Sequence, residues 1–433
     1  MILAKFGGSS VANSHQFKKV KNIVNSDANK KYVVVSAPGK DEQHAFKITE
    51  LLIKLYHARP NSINFKNLHA EIMQRFYNII DELNLDKSLK LLVTNTFSNV
   101  KKLSYAKLVS RGEYLNAQIM ANYLGWHFVD TNDFLIIENG QINYVASQLR
   151  LANIMHNDDK IVFPGFYGVN FNGEIQLLPR GGGDTSGAAI SNLLGVDKYE
   201  NWTDIDGIQV VDPHIIKNSV KIDSLSYDEL QELSYMGLSV FQEDSINPLK
   251  NKNIPLVIRN TNHPHRLGTT ISNQNSSSDI TGVIGDQEYS LISIKKYGLA
   301  KETNNMIAIL NVLNQFNLEI KCMVSEFDSI NLFVKNIEKI GQLEAFLVKN
   351  NISAKVQSNI ALVAVISQKV LANNKLQRRI IDILEKHHIN SFMFNQSSND
   401  IKFLFGIYAK DYQRAIKIIY QSLFEKNLVT QAL

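Results

Sequence analysis

The segment Tyr32–Ala37, YVVVSA, is a nearly unbroken apolar run. A strand of that kind has to be buried on both faces, which happens when helices cover both sides of a sheet. The rest of the first 285 residues follows suit. KIVFPGFYGV and IPLVIRN read as further buried strands, and AFKITELLIKLYHA, LHAEIMQRFYNIIDEL and SYAKLVSRGEYLNAQIMANYL carry helical periodicity. This alternation predicts a three-layer α/β domain with a mostly parallel sheet. In such sheets ligands sit at the carboxyl ends of the strands.

Two of those ends are rich in glycine. At the first, Met1–Ala4 is a short apolar strand, Lys5 and Gly7-Gly8 follow, and Phe17, Val20 and Val24 stand at helical spacing beyond. Strand, glycine turn and helix start point free backbone N–H groups at an anion, and Lys5 adds a full positive charge. Taken alone, the stretch reads equally well as a tight turn with a surface lysine. At the second, LLPRGGGDTSGAAISNLLG places Arg180 before three glycines and Asp184 after them. A purely structural loop has little need of that arrangement. Two glycine-rich strand ends, each with a cation, can converge on one polyphosphate. Neither fits G-x-x-x-x-G-K-[ST], and the protein-kinase signatures are missing.

Composition narrows the class. The chain has 433 residues, 44% of them hydrophobic, so a sizeable core is expected over two or three domains. A net charge of +5 with interleaved signs offers no nucleic-acid stripe. The single cysteine, Cys322, excludes an internal disulfide framework and is expected to be a buried thiol in a reducing compartment. Lys5 follows four apolar residues, too few for a signal peptide, and no apolar run reaches membrane-spanning length. The expectation is a cytoplasmic protein without nucleic-acid or membrane partners.

Other polar clusters admit plainer readings. In SRGE, Glu113 next to Arg111 reads as a solvated helical pair. Thr203, Asp204, Asp206 and Asp212 in NWTDIDGIQVVDP fit turn chemistry better than metal ligation. Ser226 and Glu229 form a capping-box pattern. His263 and His265 lack further ligands at metal spacing and read as a loop.

ISNQNSSSDITG, Ile271–Gly282, is polar and marks a boundary. Beyond it the sequence repeats with a constant offset: Val312 and Leu313 match Ile383 and Leu384, Leu318 matches Ile389, and Met323 matches Phe394. Ile330, Leu332 and Val334 match Ile401, Phe403 and Phe405. Each copy reads as helix, strand, turn and strand, so a duplicated α+β accessory region is predicted.

KFGGSSV, VVVSAPGK, SRGEYLNAQIMANYL, PRGGGDTSGAA, WTDIDGI and VIRNTNHPHRLGTTI occur in the order found in aspartate kinases, and from Ile2 to about Phe424 the sequence resembles that family. The resemblance implies an amino-acid kinase domain over 1–285 and two ACT-like repeats over 286–356 and 357–433. It implies that Lys5, Phe6, Gly7 and Gly8 cradle the ATP phosphates, with Lys5 the catalytic cation and Asp184 the second catalytic residue. Gly181, Gly182, Thr203 and Asp204 would contact nucleotide, while Thr49, Glu113 and Arg180 would bind aspartate. The reaction implied is ATP plus L-aspartate giving 4-phospho-L-aspartate, the entry to lysine, threonine and methionine synthesis. Mg-ATP enters as substrate, with no tightly bound cofactor and no resident metal. The repeats would form a homodimer and offer a site for lysine or threonine, with Val324, Asp328 and Ser329 as candidate contacts. A purely dimer-forming first repeat is the other reading. In the second repeat, NQSSNDI resembles a family turn that pairs repeats across a sheet.

Three positions depart from the family pattern. Gln209 stands where a tyrosine is usual, His214 replaces an arginine, and Ser239 occupies a lysine position. Loss of two cations and an aromatic on the nucleotide side predicts weaker or altered ATP binding, or compensation by Lys250 or Lys252. The alternatives are a non-catalytic amino-acid sensor and a kinase for another amino-acid carboxylate.

Overall fold

The computed structural model describes residues 1–155, 160–179, 181–238, 241, 245–274, 279–297, 299, 303–335, 339–349, 353–368, 374–395 and 401–425. Contacts divide the chain into two units. One comprises Met1–Ile208, Lys221–Tyr227 and Ser239–Asn275, and the other Gln209–Val220, Asp228–Leu238 and Ser276–Leu433.

The first unit is built on an eight-stranded sheet. Its strands run in the order Ser224–Ser226, Thr269–Ser272, Leu256–Asn260, Lys198–Thr203, Ile2–Phe6, Lys30–Val35, Ile161–Pro164 and His127–Phe128. All neighbours are parallel except Leu256–Asn260 against Thr269–Ser272. The opening strand lies inside the sheet with all five residues buried. Phe6 is in register with Val35 and Trp202, Val35 with Pro164, and Asn260 with Thr203, so five strand ends finish at one level. Phe17, Val20 and Val24 of the helix Ser14–Asn25 pack with Leu51 and Leu52 of Ile48–His57 and with Ile72 and Phe76 of Ile63–Glu82 in one apolar cluster. Each large side chain buried in this way contributes about 1.5–3 kcal/mol.

Two expected elements are broken in the structure. SYAKLVSRGEYLNAQIMANYL forms two helices, Tyr105–Val109 and Arg111–Leu124. At the junction Ser110 Oγ and Arg111 Nε both donate back to the Lys107 carbonyl, at 3.0 and 3.1 Å, in competition with the helical ladder. KIVFPGFYGV forms two strands, Ile161–Pro164 and Tyr167–Val169, separated where Phe166 takes a φ of +79°.

The second unit contains a six-stranded antiparallel sheet in the order Ile320–Ser325, Ser329–Val334, Gly282–Lys295, Ser353–Ile366, Lys402–Tyr408 and Ser391–Asn395. The repeat seen in the sequence is thus one continuous sheet. Its two central strands are each shared between halves. Ser290–Lys295 pairs with Ser329–Val334, whereas Gly282–Asp286 pairs with Leu362–Ile366 and donates the Val283 amide to the Val210 carbonyl at 2.7 Å, and the register shifts between Asp286 and Leu291. The second half therefore receives a strand from ahead of the first. Helices Thr303–Gln315 and Ile340–Lys349 cover the first half, burying Ile309, Leu313, Leu343 and Leu347 against Ile292, Leu332 and Val334. Cys322 is a buried thiol outside any disulfide.

Candidate active site

Lys5 stands one residue before the end of its strand, and burial leaves it 7% exposed. A lysine can be held there only if its ammonium is paired. Lys5 Nζ donates to Asp184 Oδ1 at 2.6 Å, in the first turn of the helix Gly182–Leu194. The helix N-terminus also favours that carboxylate. Asn201 lies opposite Lys5 on the adjacent parallel strand and donates through Nδ2 to the same oxygen at 3.1 Å.

The two glycine turns meet around this pair. A Cβ on Gly7 would lie 3.8 Å from Lys5 Nζ, and one on Gly183 would lie 3.5 Å from Lys5 Cε and 3.0 Å from Ser36 Oγ. Lys5 thus passes between both backbones. Gly7 commits its amide to the Trp202 carbonyl (3.0 Å) and its carbonyl to the Ser10 amide (2.9 Å). The amides left at the head of this turn, Gly8–Val11, are those of Gly8 and Ser9. Gly181 has a φ of +82°, which lets the chain reverse into the next helix. Phe6 is fully buried and stacks on Trp202 at a centroid distance of 6.0 Å, so its side chain supports the turn from below. Arg180 lies outside the described residues.

Beyond the strand Lys30–Val35, Ser36 and Ala37 meet the helix Arg111–Leu124. Gly112 packs so tightly that a Cβ would lie 2.9 Å from Ala37 Cβ and 3.2 Å from Ile48 Cγ2. That contact brings Glu113 against the strand end. Glu113 is buried, and its Oε2 has no hydrogen-bond partner among the described residues. Burial pushes its carboxyl up to about 8, against backbone hydrogen bonds from Ala37 and Glu113 and the nearby Arg111 guanidinium. A buried acid with one oxygen unsatisfied is costly in the free protein and suits a cationic ligand group. The solvated helical pair expected of Glu113 and Arg111 is therefore not what forms. Arg111 is also buried, stacked over Tyr114 (4.3 Å) and Tyr167 (5.5 Å). Asn116, one turn after Glu113, donates to the Ser36 carbonyl at 2.6 Å. Thr49 lies half-buried in the first turn of Ile48–His57.

On the other side of Lys5, Thr203 closes the strand Lys198–Thr203 and donates to Asp204 Oδ1 at 3.1 Å. Asn260 donates to the Asp204 carbonyl (3.1 Å), Thr261 N–H to the Thr203 carbonyl (2.9 Å), and Ser10 Oγ lies 2.7 Å from Thr261 Oγ1. Asp206 pairs with His263 at 2.7 Å and with Arg266. Its side chain is thus engaged in turn chemistry, as is Asp212, which accepts from the His214 amide at 2.8 Å. Gln209 Oε1 accepts from Ser219 Oγ at 2.9 Å, within the second unit. Ser239 lies outside the described residues. Among the described residues no three His, Cys, Asp or Glu side chains cluster as a metal site.

Sequence reasoning missed Ser36, Asn116 and Asn201. Asn116 had one signal, its i+3 spacing from Glu113. Asn201 had none, because its partner comes from another element. In the second unit, Val324 is half-buried near the end of Ile320–Ser325. Ser329 donates to Glu326 Oε2 (3.0 Å), and the Asp328 carbonyl accepts from the Lys296 amide (2.9 Å). Most of NQSSNDI, residues 396–400, lies outside the described residues.

Residues 1–260 match the model of the amino acid kinase family. Aspartokinase 3 of Bacillus subtilis is 30% identical over 455 residues, covering 99% of this chain and 100% of that protein. The solved aspartate kinase of Clostridium acetobutylicum superposes with a TM-score of 0.90 at 36% identity, over 97% of this chain and 99% of that one. Aspartokinase III of Escherichia coli shares the fold at 20% identity. It has been solved with aspartate and ADP (TM-score 0.76, 98% of this chain and 100% of that one) and with lysine and aspartate (TM-score 0.75, 98% and 99%).

Proposed function

The chain belongs to the amino acid kinase family and, within it, to the aspartokinases, and from that premise we propose how its own residues carry the reaction. The activity is transfer of the ATP γ-phosphoryl group to the β-carboxylate of L-aspartate, giving 4-phospho-L-aspartate and ADP. A carboxylate oxygen forms the new P–O bond while the bond from the γ-phosphorus to the bridging oxygen breaks, and ADP leaves with that electron pair. The 2.6 Å pair between Lys5 and Asp184, set between two glycine turns, is the observation that carries the reading.

An aspartate side chain has a pKa of about 3.9 and is already an anion at neutral pH. No strong base is needed. The obstacle is repulsion between that anion and the nucleotide phosphates, so the site must supply positive charge and N–H donors. One charge interaction at about 4 Å, with an effective dielectric of about 20, is worth roughly 4 kcal/mol. Felt only in the transition state, that is about three decades of rate. Lys5 provides this charge, with the amides of Gly8 and Ser9 and the Gly181–Gly182 helix start as further donors. Mg²⁺ enters with ATP as part of the substrate. Asp184 and Asn201 hold Lys5 in place, which makes Asp184 an orienting group. Glu113 receives the α-ammonium of aspartate, Thr49 is a further aspartate contact, and Arg180 receives a carboxylate. Thr203 and Asp204 face the nucleotide.

The same proposal extends to the C-terminal repeats. They join two copies of the chain and bind lysine or threonine through the hairpin of Val324, Asp328 and Ser329. The product then feeds lysine, threonine and methionine synthesis in the cytoplasm, and the kinase domain occupies 1–285. Support for the dimer comes from the Ile320–Ser325 strand, which forms an edge of the six-stranded sheet.

The test is ADP formation by the purified chain with Mg-ATP, with and without L-aspartate, trapping the acyl phosphate as a hydroxamate. Aspartate-dependent hydroxamate is the expected result. A folded chain that binds aspartate without turnover would contradict it.

A further inference from the structure

Arg75, the one arginine of the helix Ile63–Glu82, is 3% exposed, and it forms no salt bridge among the described residues, although Asp41 and Glu71 lie near enough to favour its charge. Its Nη1 donates to the Phe46 carbonyl at 2.7 Å and its Nη2 to the Gly39 carbonyl at 2.6 Å. One planar fork therefore holds both ends of the loop 39–46. A charged side chain bound only to backbone is expensive to bury, and an apolar one would fill the same space. What the guanidinium uniquely supplies is the fixed separation of those two carbonyls.

That loop bears directly on the glycine turn. Gly39 donates its amide to the Gly8 carbonyl at 2.9 Å, and the two backbones are so close that a Cβ on Gly39 would lie 2.5 Å from the Gly8 carbonyl carbon. Two residues on, Asp41 accepts from Asn13 Nδ2 at 3.0 Å, and Asn13 in turn caps the helix Ser14–Asn25 by accepting from the Gln16 amide at 3.1 Å. Asp41 is itself fixed by the amides of Gln43 (3.0 Å) and His44 (2.8 Å) and by the His44 ring (2.7 Å). The loop thus grips the glycine turn at its start, Gly8, and just past its end, Asn13. Arg75, Asp41, His44 and Asn13 line a cleft of about 700 Å³ that also includes Ser9, Lys40 and Asp204.

We propose that Arg75, through the loop 39–46 that it clamps, is a positioning residue for phosphoryl transfer, fixing the Gly8 and Ser9 amides where the nucleotide phosphates bind. The inference rests on the reading of Gly7–Gly8 as the phosphate turn.

Steady-state kinetics on the full chain test it. Arg75→Lys keeps the charge but cannot bridge both carbonyls, and Arg75→Met keeps the bulk without a donor. The expected result for Arg75→Lys is a rise in the KM for ATP with a fall in kcat, each about tenfold, and a KM for aspartate that changes much less. A merely structural role would lower the active fraction, scaling kcat and leaving both KM values alone. Where Arg75→Met fails to fold, Asp41→Asn, which weakens the grip on Asn13, should raise the KM for ATP in the same direction by a smaller factor. Folded Arg75→Lys and Asp41→Asn proteins with wild-type KM for ATP overturn the clamp. Gly8→Ala separates this from the underlying reading. If it leaves ATP kinetics unchanged, the phosphate turn itself is misplaced. If it disturbs them while the Arg75 and Asp41 variants do not, the clamp alone fails.

Discussion

Lys5 Nζ and Asp184 Oδ1 stand 2.6 Å apart although 179 positions separate them in sequence, and Asn201 donates to the same oxygen at 3.1 Å. The lysine comes from an inner strand and the aspartate from a helix N-terminus. The pair is where the two glycine turns become one site.

Lys5→Ala should lower kcat by about a thousandfold, the value of one well-placed charge, in a protein whose circular dichroism is unchanged. Asp184→Asn should cost much less, because an amide can still hold Lys5 and the nucleophile needs no base. Loss of a true general base would instead cost about 10²–10⁴. Equal loss in both variants, with a pH profile that shifts only in Asp184→Asn, would restore Asp184 as a base.

Glu113 predicts a pH dependence of aspartate binding. Its carboxyl is pushed up to about 8, so the free protein holds it mostly neutral at pH 7. The α-ammonium of aspartate prefers the ionised form, so binding expels a proton. The apparent affinity should therefore rise by nearly tenfold per unit between about pH 6 and 8 and level off above, as linkage requires. The sign reverses for stability without ligand. The folded state holds the proton more tightly than the unfolded chain, so this group's contribution falls as pH rises from about 4.5 to about 8. Glu113→Gln should bind aspartate weakly, with a flattened pH profile. Calorimetry in buffers of different ionisation enthalpy counts the expelled proton, and a count of zero at pH 7 would rule the coupling out.

Tyr199 offers a test of packing beside the site. Its hydroxyl is buried with no hydrogen-bond partner among the described residues, and a Cβ on Gly187 would lie 2.5 Å from it. An orphaned buried hydroxyl costs about 1–3 kcal/mol, so Tyr199→Phe should raise the melting temperature. Gly187→Ala should lower it, and the double variant should recover most of that loss. Additive effects in the double-mutant cycle would show that the two groups do not meet as described.

Both glycine turns, the parallel sheet and the C-terminal duplication were legible because each is a local signal: an apolar run, a turn residue, a periodic spacing. Asn201, Ser36 and Arg75 were not. Each acts through a backbone or side-chain partner brought close only by the sheet register or by helix packing, and a single sequence carries no record of such pairs. The plain reading of Glu113 as a solvated partner of Arg111 failed for the same reason. Beside Arg111 it looks solvated, and only the contact of Gly112 with Ala37 and Ile48 buries it. The sharing of strands in the C-terminal sheet was equally hidden, since Gly282–Asp286 precedes the repeat that it leaves unpaired and serves the later one.

That sharing makes a final prediction. Gly285 sits in the shared strand where a Cβ would lie 2.4 Å from the Leu362 carbonyl oxygen and 2.8 Å from the Tyr412 ring, whose hydroxyl donates to the Gly285 carbonyl at 2.6 Å. Gly285→Ala must therefore displace either the ladder to Leu362–Ile366 or the helix Tyr412–Tyr420, at a cost of about 1–3 kcal/mol. The loss should be local. Amide exchange should quicken through Ile360–Ile366 and Lys402–Tyr408, which depend on that ladder, and much less through Ser329–Val334, which pairs with Ser290–Lys295 beyond the register shift. Equal acceleration in both halves would mean that the sheet opens as one cooperative unit, so that the shared strands transmit strain across it; unchanged exchange in both would mean that Gly285 is not packed in this way.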